Sequence, residues 1–179
     1  MNVHILPLWS HSSKWRSPRY SILVAIVGLL QGSAVCAQAQ RLKVVSPFAT
    51  LAGTWSGNGT VSLSGGGRER IRCRSTYRVG GDGMVVLSSL RCASDSYQFE
   101  LSSHIDYDAG AITGTWTETT RGISGTLSGR AEPGQLSARA SATGFMADLS
   151  LATQGRRQLV TIRSEGTDLM GASVTLNRE

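Results

Sequence analysis

Few side chains in this sequence are equipped for chemistry, and their spacing limits what each could do. Cys73 and Cys92 sit on the apolar beats of two alternating stretches that flank the turn Gly80-Gly81-Asp82-Gly83. If those stretches pair as a hairpin about the turn, both thiols face inward, either directly opposed or one step diagonal. A bond between them closes a loop of about twenty residues and contributes on the order of 3 kcal/mol in the loop-entropy picture. Redox-active pairs more often lie close in sequence near a helix start, so the expected role is a structural disulfide. A zinc site would need two further ligands, and past residue 40 the only histidine is His104. No metal and no cofactor is expected.

A row of arginines is the second feature. Arg68, Arg70, Arg72 and Arg74 alternate with inward positions, and Arg91 falls on the same outward face of the next stretch. Guanidinium stays charged and suits bidentate contact with carboxylate or phosphate. The row could therefore meet an envelope polyanion such as lipopolysaccharide or an acidic glycan. The alternative is a solvated face, screened by salt within about 10 Å and offset by Glu69 and Glu100. Nucleic acid is the least expected partner, because aromatic residues do not interleave with the arginines.

Other chemistry finds little support. His104 shares an outward face with Glu100 and Asp106, where an exposed polar residue is the ordinary reading. The patterns G-x-S-x-G, H-E-x-x-H and C-x-x-C do not occur past residue 40. The runs Gly65-Gly66-Gly67 and Gly80-Gly81-Asp82-Gly83 join strands and do not open helices, so neither suits a phosphate cradle. No catalytic residue is assigned, and a non-enzymatic protein is expected.

The N-terminal segment carries an export signal. Residues 1–20 hold Lys14, Arg16 and Arg19 and no acid, and Ser21–Leu30 is wholly apolar or small. An apolar run of about ten residues suits a signal peptide, whereas a membrane-spanning helix needs ~20. Ala37-Gln38-Ala39 matches the A-x-A cleavage pattern, so a signal peptide over 1–39 is expected, with cleavage after Ala37 as the alternative. Cys36 would leave with it, and Ser33 and Val35 do not suit a lipoprotein signal. The mature chain is expected in the periplasm or outside the cell, without a transmembrane segment. Losing Lys14, Arg16 and Arg19 takes the 18 basic residues to 15 against 12 acids, so its excess is about +3, not +6. About 140 residues remain, enough for one domain with one core.

The rest of the chain must position these groups, and its pattern is all-β. Gln40–Thr50 is a polar lead-in containing Pro47, read as a loosely packed N-terminal arm. From Leu51 onward the alternation has period two and is broken by Gly-rich turns every 10–15 residues, with no helical period. Trp55, Val61, Ile71, Val86, Phe99, Ile105, Ile112, Leu127, Leu149, Val160 and Val174 mark inward beats. Leu136, Ala138 and Ala140 make a thin apolar face, and Met170 opens the last inward set. Gly53, Gly57, Gly59, Gly114, Gly125 and Gly129 share the inward parity, which fits strong curvature and room for bulky neighbours. Ten candidate strands with short connections imply an antiparallel up-and-down meander of about eight to ten strands over 51–179. Closing it into a barrel buries the apolar face and removes the edges; a two-sheet sandwich is the alternative.

Leu51-Ala52-Gly53-Thr54-Trp55, at the start of such a meander, resembles the G-x-W opening of lipocalin-like (calycin) barrels. The resemblance implies a barrel with room for an interior ligand, and Trp55 as a structural plug at one end. A fainter likeness is to small periplasmic metalloprotease inhibitors, also barrels with a G-x-W start and one disulfide. It implies an arm, here Gln40–Phe48, that enters a protease cleft.

Three functional expectations follow. The first is a binding barrel for a small apolar or amphipathic ligand, contacted by Trp55, Tyr97, Phe99, Trp116 or Phe145, for which plain core packing is the competing role. The second is an inhibitor or partner-binding module acting through the arm. The third is an envelope protein that meets polyanions through its arginine row.

Overall fold

The computed structural model describes residues 45–179. The expected signal peptide, with Cys36, and residues 40–44 of the arm lie outside them. The period-two pattern yields ten strands: β1 (Gly53–Leu63), β2 (Arg68–Gly80), β3 (Val85–Ala93), β4 (Gln98–Asp108), β5 (Ala111–Glu118), β6 (Ile123–Glu132), β7 (Gln135–Ala142), β8 (Phe145–Gln154), β9 (Arg157–Glu165) and β10 (Leu169–Arg178). Each pairs antiparallel with its sequence neighbours, and β1 closes on β10. The sheet is a closed barrel with no free edge, not a sandwich. Closure is what the burial pattern requires, since the apolar beats of every strand then face one common interior.

The ladder places Cys73 directly opposite Cys92, with Cα atoms 4.1 Å apart and the sulfurs bonded. The inward glycines have a sharper reason than room for side chains. A Cβ on Gly57 would stand 2.0 Å from the Thr175 carbonyl oxygen, and one on Gly114 or Gly129 2.0 Å from that of His104 or Ser137. At these points the neighbouring backbone itself occupies the Cβ position, as strongly coiled strands demand. Gly53 is different: it is exposed and holds φ at 121°, where the chain enters β1.

Two expectations are corrected. Met170 is 49 % exposed and not inward, because Ser62 pairs with Gly171 and Leu63 with Leu169, leaving Met170 as the extra residue of a bulge. The lead-in, over its described part, is not loose. Phe48 is 1 % exposed, meets Tyr107 edge-on at 6.0 Å, and with Leu51 covers one end of the barrel. Ser46 Oγ donates to the Gly83 carbonyl at 2.6 Å, and Trp55 Nε1 donates to Leu51 O at 2.7 Å. The Arg178 guanidinium lies 4.5 Å from the Trp55 ring centre and donates to the carbonyls of Ala52 and Thr50. Without this seal the apolar interior would open to water at that end.

Candidate functional site

Small side chains on inward positions leave the barrel incompletely filled. Ser75, Ser88 and Ser103 on β2–β4 face Ala138, Ala140 and Ala147 on β7 and β8 around a cavity of about 180 Å³. Its floor is Leu51, above the plug. Its walls are mainly aliphatic, and Tyr97, Arg121 and Thr167 stand at the opposite end. That end carries the connections after β1, β3, β5, β7 and β9, and these three residues come from the links after β3, β5 and β9. Arg121 is exposed there, so the interior communicates with solvent on that side.

Four of the five aromatic residues expected to meet a ligand line this cavity. Trp116 and Phe145 lean together with centroids 5.2 Å apart, and the indole N–H donates to Thr126 O at 3.1 Å. Tyr97 and Phe99 meet edge-on at 6.0 Å. Trp55 does not line it; the residue is 0 % exposed and belongs to the seal at the closed end. All five also pack into or against the continuous core.

The mouth carries the charged groups of the lining. Glu118, on an inward position of β5, is 7 % exposed. Burial pushes its carboxyl up, but hydrogen bonds from Thr120 and from the N–H groups of Glu100, Thr120 and Arg121 outweigh this and hold it below the usual carboxylate range. Arg121 completes the arrangement, 3.6 Å from Glu118 Oε2 and 4.6 Å above the Tyr97 ring. Burial raises the Tyr97 phenol.

Deeper in the barrel the polar groups are uncharged. Tyr77 OH donates to Gln158 Oε1 at 2.9 Å, and Gln158 Nε2 donates to Thr153 at 3.1 Å, so Gln158 sits satisfied at 0 % exposure. Burial pushes the Tyr77 phenol up to about 12, offset a little by the nearby Ser75 hydroxyl. Ser88 and Ser103 share one hydrogen bond of 2.7 Å. Ser75 Oγ is buried without hydrogen-bond geometry to any described group. Ser75, Ser88 and Ser103 share the parity of the apolar beats on their strands, yet serines in such places read as fillers until the cavity is seen.

The arginine row lies on the outer face, as its parity dictates, but it is partly neutralised. Arg74 and Arg91 are cross-strand partners, and each holds an acid, Glu179 at 2.7 Å and Glu100 at 2.8 Å. Glu69 forms no salt bridge with the row; it accepts hydrogen bonds from Ser94 and Ser96, which lower its carboxyl pKa and keep it ionised. Arg68, Arg70 and Arg72 form no salt bridge with a described residue. His104 Nε2 lies 3.6 Å from Asp106 Oδ1, both exposed. Among the described residues no three His, Cys, Asp or Glu side chains converge as a metal site, and no helix is long and apolar enough to cross a membrane. The strands turn Arg, Ser and Thr outward, the reverse of the apolar outer band of a membrane barrel.

Fold and site together define a class, an antiparallel ten-stranded barrel sealed at one end over an apolar interior. No protein-family model matches the chain, and no curated protein matches its sequence. Among solved structures it is similar to Rv2717c from M. tuberculosis, with a TM-score of 0.57 and 11 % identity over 75 % of this chain and 98 % of that one. It is also similar to the S-type phycobiliprotein lyase CPES from Guillardia theta, with a TM-score of 0.53 and 10 % identity over 76 % of this chain and 94 % of the other. At such identities the likeness extends to the fold alone.

Proposed function

We propose that this is a non-enzymatic, exported, lipocalin-like barrel that binds a small apolar or amphipathic ligand in its interior. The observation that carries the reading is the cavity of about 180 Å³, closed at the Phe48 end and bordered at the other by Tyr97, Arg121 and Thr167. An apolar cavity of ~150 Å³ already admits benzene, so a single ring or a short chain is the matching scale. Trp116, Phe145, Phe99 and Tyr97 supply the apolar contacts. A barrel of this kind also serves a protein named as a phycobiliprotein lyase, which supports the fold as a platform for a site and lends no activity. The signal-like segment over 1–39 and the Cys73–Cys92 disulfide support export, since such bonds persist outside the reducing cytosol.

Native mass spectrometry of protein taken from the exported fraction tests both parts. The expected polypeptide begins at Gln40 or Gln38 and carries a small adduct that is lost on unfolding. Ala140→Phe, which fills the cavity, should abolish the adduct while preserving the circular dichroism of the sheet. A chain with no adduct, into which neither ethylbenzene nor acetophenone enters by calorimetry, would overturn the reading.

A further inference from the structure

We propose that Ser75, Tyr77, Ser88 and Ser103 form a polar subsite that receives the one oxygen, carbonyl or hydroxyl, of an otherwise apolar and uncharged ligand. The inference rests on the interior-binding reading above and specifies its ligand class.

Ser75 carries the argument. Ser75 is 1 % exposed and its hydroxyl lines the cavity, near enough to the Tyr77 phenol to lower its pKa but without good hydrogen-bond geometry to any described group. A buried unpaired hydroxyl is destabilising, and alanine would fill the same space without that cost. The opposite wall does use alanine, at Ala138 and Ala140. The serine side chain therefore makes sense when something in the cavity completes its bonding.

The neighbours extend the site. Tyr77 pairs directly with Ser88 on the ladder, and Ser88 with Ser103, so three adjacent strands carry hydroxyl-bearing residues at one level, with the Tyr77 ring reaching on to Gln158 of β9. Ser75 is the diagonal neighbour of Ser88, a Cβ separation of roughly 7 Å that one ligand oxygen spans with two hydrogen bonds. The Ser88–Ser103 pair uses one of its two protons internally and keeps the other. Tyr77 spends its proton on Gln158 and retains lone pairs that accept from a ligand hydroxyl. A carbonyl thus finds donors here, and a hydroxyl finds both donors and acceptors.

Charge is excluded by what surrounds the subsite. The charged residues of the cavity lining, Glu118 and Arg121, stand at the mouth and face each other at 3.6 Å. An ion at the depth of Ser75 would be desolvated without a counter-charge. Ser103 is paired across the ladder with Trp116, which leans on Phe145. A ring lying against that aromatic pair points its substituent oxygen toward the serines.

Isothermal titration calorimetry with three matched probes tests this: acetophenone, ethylbenzene (the same shape without the oxygen) and benzoate. Wild type should bind acetophenone about tenfold tighter than ethylbenzene and benzoate weakest of all. Ser75→Ala should weaken acetophenone roughly fivefold, leave ethylbenzene unchanged, and melt no lower than wild type because the lost hydroxyl made no well-formed hydrogen bond. Equal affinities for acetophenone and ethylbenzene, or a Ser75→Ala protein that discriminates as well as wild type, would refute the subsite while leaving interior binding intact. A destabilised or unfolded Ser75→Ala protein would refute it too, by showing that the hydroxyl has a structural partner. If none of the probes binds wild type that is free of any adduct, the interior-binding reading itself falls.

Discussion

Gly125 on β6 offers a demanding test of the barrel, because its Cβ position is taken from two sides. A methyl group there would lie 2.0 Å from the Ser141 carbonyl oxygen on β7 and 3.0 Å from Trp116 Nε1 on β5. To restore an ordinary contact, Gly125→Ala must push β6 and β7 apart by more than about 1 Å, enough to break one or two ladder hydrogen bonds at roughly 1 kcal/mol each. Strain from overpacking adds about 1–3 kcal/mol, and the lower entropy of an unfolded alanine chain returns ~0.4–1. The expected net loss is ~2–4 kcal/mol, a large share of the 5–15 kcal/mol typical of a domain. Guanidinium titration of the processed protein, followed by tryptophan fluorescence, measures this, and Trp116 should report a changed environment even before unfolding. Gly65→Ala is the control. Its Cβ would meet nothing within 4 Å and its φ is not positive, so its midpoint should stay within about 0.5 kcal/mol of wild type. If the two variants are equally stable, the close approach of the strands at Gly125 is wrong, and with it the placement of the Trp116 wall.

Three other outcomes are expected. Cys73→Ser/Cys92→Ser should lose on the order of 3 kcal/mol in a denaturant titration, since the bond closes a loop with a sequence separation of 19. Arg178→Met keeps the stem but removes the donors to Thr50 O and Ala52 O and the charge over Trp55; it should cost ~1–3 kcal/mol and speed amide exchange across 46–52 first. Tyr77 should give an alkaline signature. Burial raises its folded pKa to about 12, above the unfolded value near 10, so the neutral phenol favours the fold. That contribution is whole below pH ~10 and is lost as pH climbs through ~12, by at most ~3 kcal/mol. Tyr77→Phe should be less stable than wild type at pH 8, because Gln158 Oε1 loses its donor, and the gap should narrow above pH 10. A gap independent of pH would rule out a buried neutral phenol.

Much of this protein is written locally. Period-two alternation requires strands, glycine-rich turns require hairpins, and a turn at Gly80–Gly83 puts Cys73 beside Cys92 on one face, all through contacts between near neighbours in sequence. The outward parity of Arg68, Arg70, Arg72 and Arg74 follows from the same rule. What the chain alone left open depends on which strands meet across the closure. Pairing of β1 with β10 brings backbone against Gly57 and Gly59 and expels Met170 at a bulge, and the closed barrel gives Phe48 and Leu51 an end to seal. Pairing of residues far apart, Tyr77 with Gln158 and Arg178 with Thr50 and Ala52, satisfies groups that no local pattern links. The cavity is the furthest from the sequence, because a void is set by the summed volume of side chains from many strands around one axis. A serine or an alanine on an inward beat looks alike in every strand taken singly, and only closure decides that these particular ones enclose space instead of filling it.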